Sequence, residues 1–222
     1  LSLPSMPLIL IKNCQSTEPG PSLRHFSTSD DLATYSSEES AIDDFARELL
    51  SFMDYDTGDR MLRTRHIIPL IICGMNSAAQ TDVCIIKRRN EVLLLTVENK
   101  RYGSNKNPEG QVIAEAIAAF QHNNRTRVEH GMEELSKMNI PCITMIGSFP
   151  RFYLVPVTLE LSDCVMFGSY PKNQTIVPLY VPKVPRRVSD GMVPVENRRE
   201  ILYCFELFKR FVDELEKKLE TV

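Results

Sequence analysis

The 222-residue sequence predicts an α/β domain with a central mixed β-sheet flanked by helices. Three observations carry that prediction. A segment of helical period, 40–54, precedes two short apolar runs joined by a polar turn. An alanine-rich helix follows them. A long amphipathic helix closes the chain after further strands. With 43% hydrophobic and 25% charged residues, the chain has apolar material for one sizeable core.

Residues 1–38 read as an N-terminal extension or linker, and residues 39–222 as the domain. The apolar start, LSLPSMPLILIK, is short, carries Pro4 and Pro7, and lacks a basic n-region and a clear cleavage site. It is read as neither a signal peptide nor a membrane span. Residues 13–38 are rich in Ser, Thr, Pro and acids, which bury little surface, so a loop or linker is expected there. From Ser40 to Asp54, Ile42, Phe45, Leu49, Leu50 and Phe52 recur at roughly helical spacing, with Asp43 and Asp44 near the positive end of the helix dipole.

HIIPLIIC (66–73) reads as a buried strand or strand edge interrupted by Pro69. VCIIK (83–87) and EVLLLTVE (91–98) read as two strands joined by a Lys87-Arg88-Arg89-Asn90 hairpin turn. After a Gly/Asn/Pro loop (103–108), EGQVIAEAIAAFQ predicts a helix with Val112, Ala116, Ala119 and Phe120 on its packed face. A further helical piece is expected over Arg127–Met138, then strands at CITMIG (142–147), FYLVPV (152–157) and IVPLYV (176–181). The last is expected at a sheet edge because Pro178 cannot donate to a ladder. Asn197 to Leu219 carries Ile201, Leu202, Phe205, Phe208, Val212, Leu215 and Leu219 at helical spacing. The stripe Phe205, Phe208, Phe211, Leu215 on this helix also suggests a homodimer interface.

The net charge of −3 excludes a uniformly basic protein, so any nucleic-acid surface must be a local patch. Six cysteines (Cys14, Cys73, Cys84, Cys142, Cys164, Cys204) have no zinc spacing, and several lie in apolar runs. They read as reduced core residues of an intracellular protein of nucleus or cytoplasm. His66, His122 and His130 have the placement of surface or core histidines rather than ligands.

The chemistry is expected at the second hairpin. Asp82 opens its first strand and Glu98 ends its second, so a tight hairpin brings two carboxylates together. Carboxylate oxygens at such a place suit Mg²⁺ or Mn²⁺, which keep waters in their remaining positions and activate one as a nucleophile on phosphorus. Period-two alternation puts Lys100 on the face of Glu98, where its ammonium steadies the attacking water or the developing charge. Asn99 points away and offers its backbone carbonyl as a further ligand. The basic groups Lys87, Arg88 and Arg89, Lys100, Arg101 and Lys106, and Arg125 and Arg127 are candidates to line a phosphate-binding groove, although charge runs are usually solvated loops.

The segment TDVCIIKRRNEVLLLTVENK resembles the PD-(D/E)xK nuclease superfamily, the restriction-endonuclease-like fold. The resemblance covers residues 40–150. It implies a core of an α-helix, a three-stranded antiparallel meander, a second helix and a further strand. Asp82 matches the first acid of the motif and Glu98-Asn99-Lys100 its E-x-K element, while Thr81 stands where the family usually has proline. The resemblance also implies a carboxylate on the first helix, for which Glu48 is the candidate and Asp44 an alternative, and a Gln on the second helix, matched by Gln111. Glu115, one turn beyond Gln111 on the same face, is a further candidate contact. The expected function is Mg²⁺-dependent hydrolysis of DNA, in preference to RNA. The alternative is a catalytically inactive binding or interaction module of a larger effector, as the resemblance to Crinkler-type effectors and multi-domain fungal proteins implies.

Overall fold

In the computed structural model, residues 8–10, 29–98 and 108–220 are described, with side chains over 41–96 and 108–220. The chain runs β1 (Leu8–Leu10), α1 (Ser29–Phe52), β2 (Arg60–Ile72), β3 (Met75–Lys87), β4 (Val92–Glu98), α2 (Pro108–Glu129), β5 (Lys137–Ile146), β6 (Phe149–Thr158), α3 (Leu159–Phe167), β7 (Ile176–Tyr180) and α4 (Val195–Glu220). The described strands form one sheet in the order β1-β7-β6-β5-β4-β3-β2. Only β4 and β5 are parallel, joined by the α2 crossover, so the sheet is mixed and flanked by helices as predicted.

Two hairpin turns set the register of the meander. Cys73 and Gly74 both have positive φ (51° and 73°) between the paired Ile72 and Met75, the two-residue turn whose twist suits adjoining strands. At the second turn the Asn90 N–H donates to the Lys87 carbonyl at 2.7 Å and Asn90 takes the left-handed φ of 67°. Asn tolerates that conformation, and a residue in it closes a three-residue hairpin loop.

β6 shows which helix lies on which face. Phe152 packs its ring on Phe205 and Phe208 of α4, with centroids at 5.0 and 4.9 Å. Its neighbours Arg151 and Tyr153 therefore point to the other face, over which α2 lies. α1 shares the face of α4: the Tyr55 hydroxyl, just past α1, donates to the Phe205 carbonyl at 2.6 Å, and Lys209 donates to the Met53 carbonyl at 3.0 Å.

Several expectations are corrected. Helix α1 begins at Ser29, so part of the stretch read as loop is helical. β1 pairs outside β7, with Leu8 opposite Pro178, so β7 is one strand in from the edge. β2, with Pro69, does take the opposite edge. The helix expected over Arg127–Met138 does not form. α2 ends at Glu129, Gly131 turns the chain at φ 74°, and the Asn124 side chain holds both the N–H and the carbonyl of Leu135 at 3.0 Å. The apolar stripe of α4 is consumed within the chain: Phe205, Phe208 and Leu215 are buried and Phe211 is half-buried against the chain's own core. Among the described residues no helix is long and apolar enough to cross a membrane.

Candidate active site

Asp82 sits at a threshold in β3. The preceding MNSAAQ segment is polar and largely exposed, while Val83, Cys84, Ile85 and Ile86 are buried. The half-buried Asp82 is thus the last polar group before the strand enters the core. The printed pairing of β3 with β4 reaches Val83 and Thr96. Asp82 is one residue and Glu98 two residues beyond that couple, so their backbones share one end of one hairpin, on strands about 5 Å apart. This is also the carboxyl end of the parallel pair β4 and β5, with Glu98 opposite Met145. α2 starts at that end, the position where open α/β sheets receive ligands.

α2 brings Glu115 down onto this place. Its carboxylate is 2% exposed, and it raises the pKa of both the Cys84 and Cys142 thiols, after burial itself, which locates it above β3 and β5. One oxygen accepts from the Gln111 Nε2 at 2.9 Å, across one helical turn. The other is buried and has no hydrogen bond. Burial foremost pushes the Glu115 carboxyl up to about 8; the Gln111 amide opposes the rise, the nearby Asp82 charge adds to it, and the Thr81 hydroxyl opposes it. That hydroxyl has a single proton to give, and it faces the carbonyls of Val83 and Thr96 at 3.2 and 3.3 Å.

A second polar group lies on the same face of the sheet. Thr144 on β5 is opposite Arg151 on β6, and Cys142 is opposite Tyr153. The Thr144 and Tyr153 hydroxyls and the Arg151 Nε are buried without an aligned hydrogen bond. Six described side chains carry such an atom, and four of them (Glu115, Thr144, Arg151, Tyr153) lie on this one face. Burial and the Glu109 carboxylate raise the Tyr153 hydroxyl pKa, while Thr144 and Arg151 oppose the rise.

The structure therefore brings Asp82, Gln111 and Glu115 together, and with them the backbone of Glu98. Asn99, Lys100, Arg101 and Lys106 lie outside the described residues, as does the Glu98 side chain. Glu48 does not join the group: it is exposed and pairs with its neighbour Arg47 at 3.2 Å, lining a surface cavity with Ser51, Asp56 and Arg60. Asp44 is exposed. Lys87 is buried and paired with Glu216 (3.7 Å) and Glu220 of α4, so its charge is committed to packing that helix. Arg127 is likewise fully buried and donates to the carbonyls of Glu133 and Leu219. Arg88 and Arg89 lie at the far end of β3, about 20 Å from Asp82 at 3.3 Å per residue. The exposed Arg125 is about 15 Å down α2 from Glu115. These arginines do not line one groove with the carboxylates.

Sequence reasoning missed Thr144, Arg151 and Tyr153. The available signal was a polar residue inside the apolar run CITMIG and the alternation of Arg and Tyr in PRFYLV, since a polar side chain in a buried strand requires a partner. Among the described residues, no three of His, Cys, Asp and Glu are grouped so as to hold a metal ion. Asp82 and Glu115 supply two carboxylates. No protein-family model, curated protein or solved structure matches the chain.

Proposed function

We propose that this chain is a metal-dependent nuclease that hydrolyses phosphodiesters of DNA, in preference to RNA, at the carboxyl end of β4 and β5. The observation that carries the reading is the Glu115 carboxylate, 2% exposed, with one oxygen orphaned and Asp82 close by. A buried carboxylate whose hydrogen-bond capacity is only partly met is costly to ionise. A hard divalent cation is the partner that two converging carboxylates fit. The element order α1, β2-β3-β4, α2, β5 also agrees with the core that the resemblance to PD-(D/E)xK nucleases implies.

In this reading Asp82 and Glu115, with Glu98 as the acid of the E-x-K element that the resemblance implies, would hold Mg²⁺ or Mn²⁺, which would neutralise phosphate charge and lower the pKa of a water. Gln111 fixes the orientation of Glu115 through its 2.9 Å hydrogen bond. Lys100, the lysine of the E-x-K element, would supply an ammonium to the scissile phosphate. With its carboxyl pushed up to about 8, Glu115 would give up a proton on taking a cation. The free thiols Cys73, Cys84, Cys142, Cys164 and Cys204 fit a reducing compartment, nucleus or cytoplasm.

The test is cleavage of plasmid and labelled oligonucleotides with Mg²⁺ or Mn²⁺. Asp82→Ala, Glu98→Ala, Lys100→Ala and Glu115→Ala are each expected to lower the rate by about a hundredfold or more. Wild-type rates in Asp82→Ala would overturn the reading.

A further inference from the structure

We infer that Arg151, with the Thr144 and Tyr153 hydroxyls, forms a phosphate-binding subsite that holds the nucleic-acid strand beside the Asp82 and Glu115 carboxylates. The inference rests on the proposed nuclease reading for the identity of the ligand, and on independent geometry for the site. Arg151 and Tyr153 are two residues apart on β6, and Thr144 is opposite Arg151 on β5. Phe152 between them is fixed on α4, so the pair is held on the α2 face. Tyr153 is 2% exposed and Thr144 is fully buried, and neither hydroxyl has an aligned hydrogen bond; the Arg151 Nε is buried and unpaired as well.

The Thr144 hydroxyl and the Arg151 guanidinium both lie beside the Tyr153 hydroxyl, so the three form one polar cluster whose incomplete hydrogen bonding suits an acceptor with several oxygens. Arg151 forms no ion pair with any described carboxylate, so its charge is available. A planar guanidinium binds phosphate oxygens two at a time, and hydroxyl donors complete the set. Glu109, in the first turn of α2, raises the Tyr153 hydroxyl pKa, so its carboxylate lies near the cluster and opposes an anion there, which the Arg151 charge must outweigh. Continuing the sheet register, Thr144 and Arg151 fall in the same row as Asp82. Asp82 and Arg151 are then three strands apart, about 14 Å between Cα atoms, a span that a strand crossing the carboxyl ends of β4 and β5 covers.

The experiment measures binding of a fluorescein-labelled oligonucleotide by anisotropy, in Ca²⁺ to suppress turnover, over a salt series, alongside Mg²⁺-dependent cleavage. Arg151→Gln is expected to weaken binding by about tenfold and to reduce the slope of log K against log salt by about one contact. Arg151→Lys keeps the slope and loses part of the affinity. Tyr153→Phe, which removes only one oxygen, weakens binding by about threefold at unchanged slope and covers the case in which Arg151→Gln fails to fold. Wild-type affinity and slope in the folded Arg151→Gln protein, or in Tyr153→Phe if that variant alone folds, overturn the subsite while leaving Asp82-dependent cleavage intact. Arg151-dependent binding without cleavage supports the subsite and overturns the nuclease reading. A wild-type chain that neither binds nor cleaves overturns both.

Discussion

Replacing Glu115 by Gln should make the protein more stable at alkaline pH and leave it nearly unchanged at acid pH. The Glu115 carboxyl lies at about 8 in the fold against an ordinary value of 4.5. Because the folded value is raised, the native state holds the proton more tightly than the unfolded chain. The associated stability is full below about pH 4.5 and is lost as pH rises toward about 8. The gap of about 3.5 corresponds to a ceiling of about 5 kcal/mol, and relaxation and water entry bring the observable effect to about 2–4 kcal/mol. Gln keeps an acceptor for the Gln111 amide and carries no charge to bury. In urea unfolding with EDTA, the variant and the wild type should agree near about pH 5 and diverge by that amount near about pH 8.5. Parallel pH–stability curves for the two proteins would refute the account of Glu115 as a strained buried acid.

Two further predictions concern the scaffold that holds the site. Arg60 is 7% exposed at its side chain and pairs with Asp213 at 2.5 Å and Glu216 at 2.6 Å, so Arg60→Ala should cost about 1–2 kcal/mol in urea unfolding, since solvent reaches Asp213 and Glu216 keeps its pair with Lys87. Asn123 is fully buried and clamps Val92 through its N–H at 2.7 Å and its carbonyl at 2.9 Å; Asn123→Ala should cost about 2–3 kcal/mol and speed amide exchange at Val92, and an unchanged exchange rate there would contradict the clamp.

Much of the fold was legible because its signals are local. The apolar runs at 83–87 and 92–98 and the alanine-rich 109–121 form the elements their pattern implies. The misses have physical causes. MNSAAQT has no apolar alternation, and it is a strand because β2 pairs with it after the Cys73-Gly74 turn. The Ser- and Asp-rich start of α1 reads as loop because such side chains compete for backbone hydrogen bonds. The short helix α3 is marked by its caps: Thr158 accepts from the Leu161 N–H at 3.1 Å, and Gly168 turns left-handed at φ 70°.

Within the site, Asp82 was legible from its position at a strand start, and Gln111 and Glu115 from helical spacing. Their ranking was not. Glu48 and Glu115 are separated by burial, which depends on which helix face meets the sheet. Thr144, Arg151 and Tyr153 belong to strands outside the motif, and only the β4–β5 parallel pairing brings them beside it.

The central claim is that Asp82 and Glu115, with Glu98, hold a divalent cation. Calorimetric titration of the chain with Mn²⁺ at pH 7, repeated in buffers of different ionisation enthalpy, tests it most directly. The account predicts saturable binding that releases about one proton, the one Glu115 carries, and that is lost in Asp82→Asn and Glu115→Gln. Mn²⁺ binding of equal strength in both variants, or no saturable heat in the wild type, would contradict it.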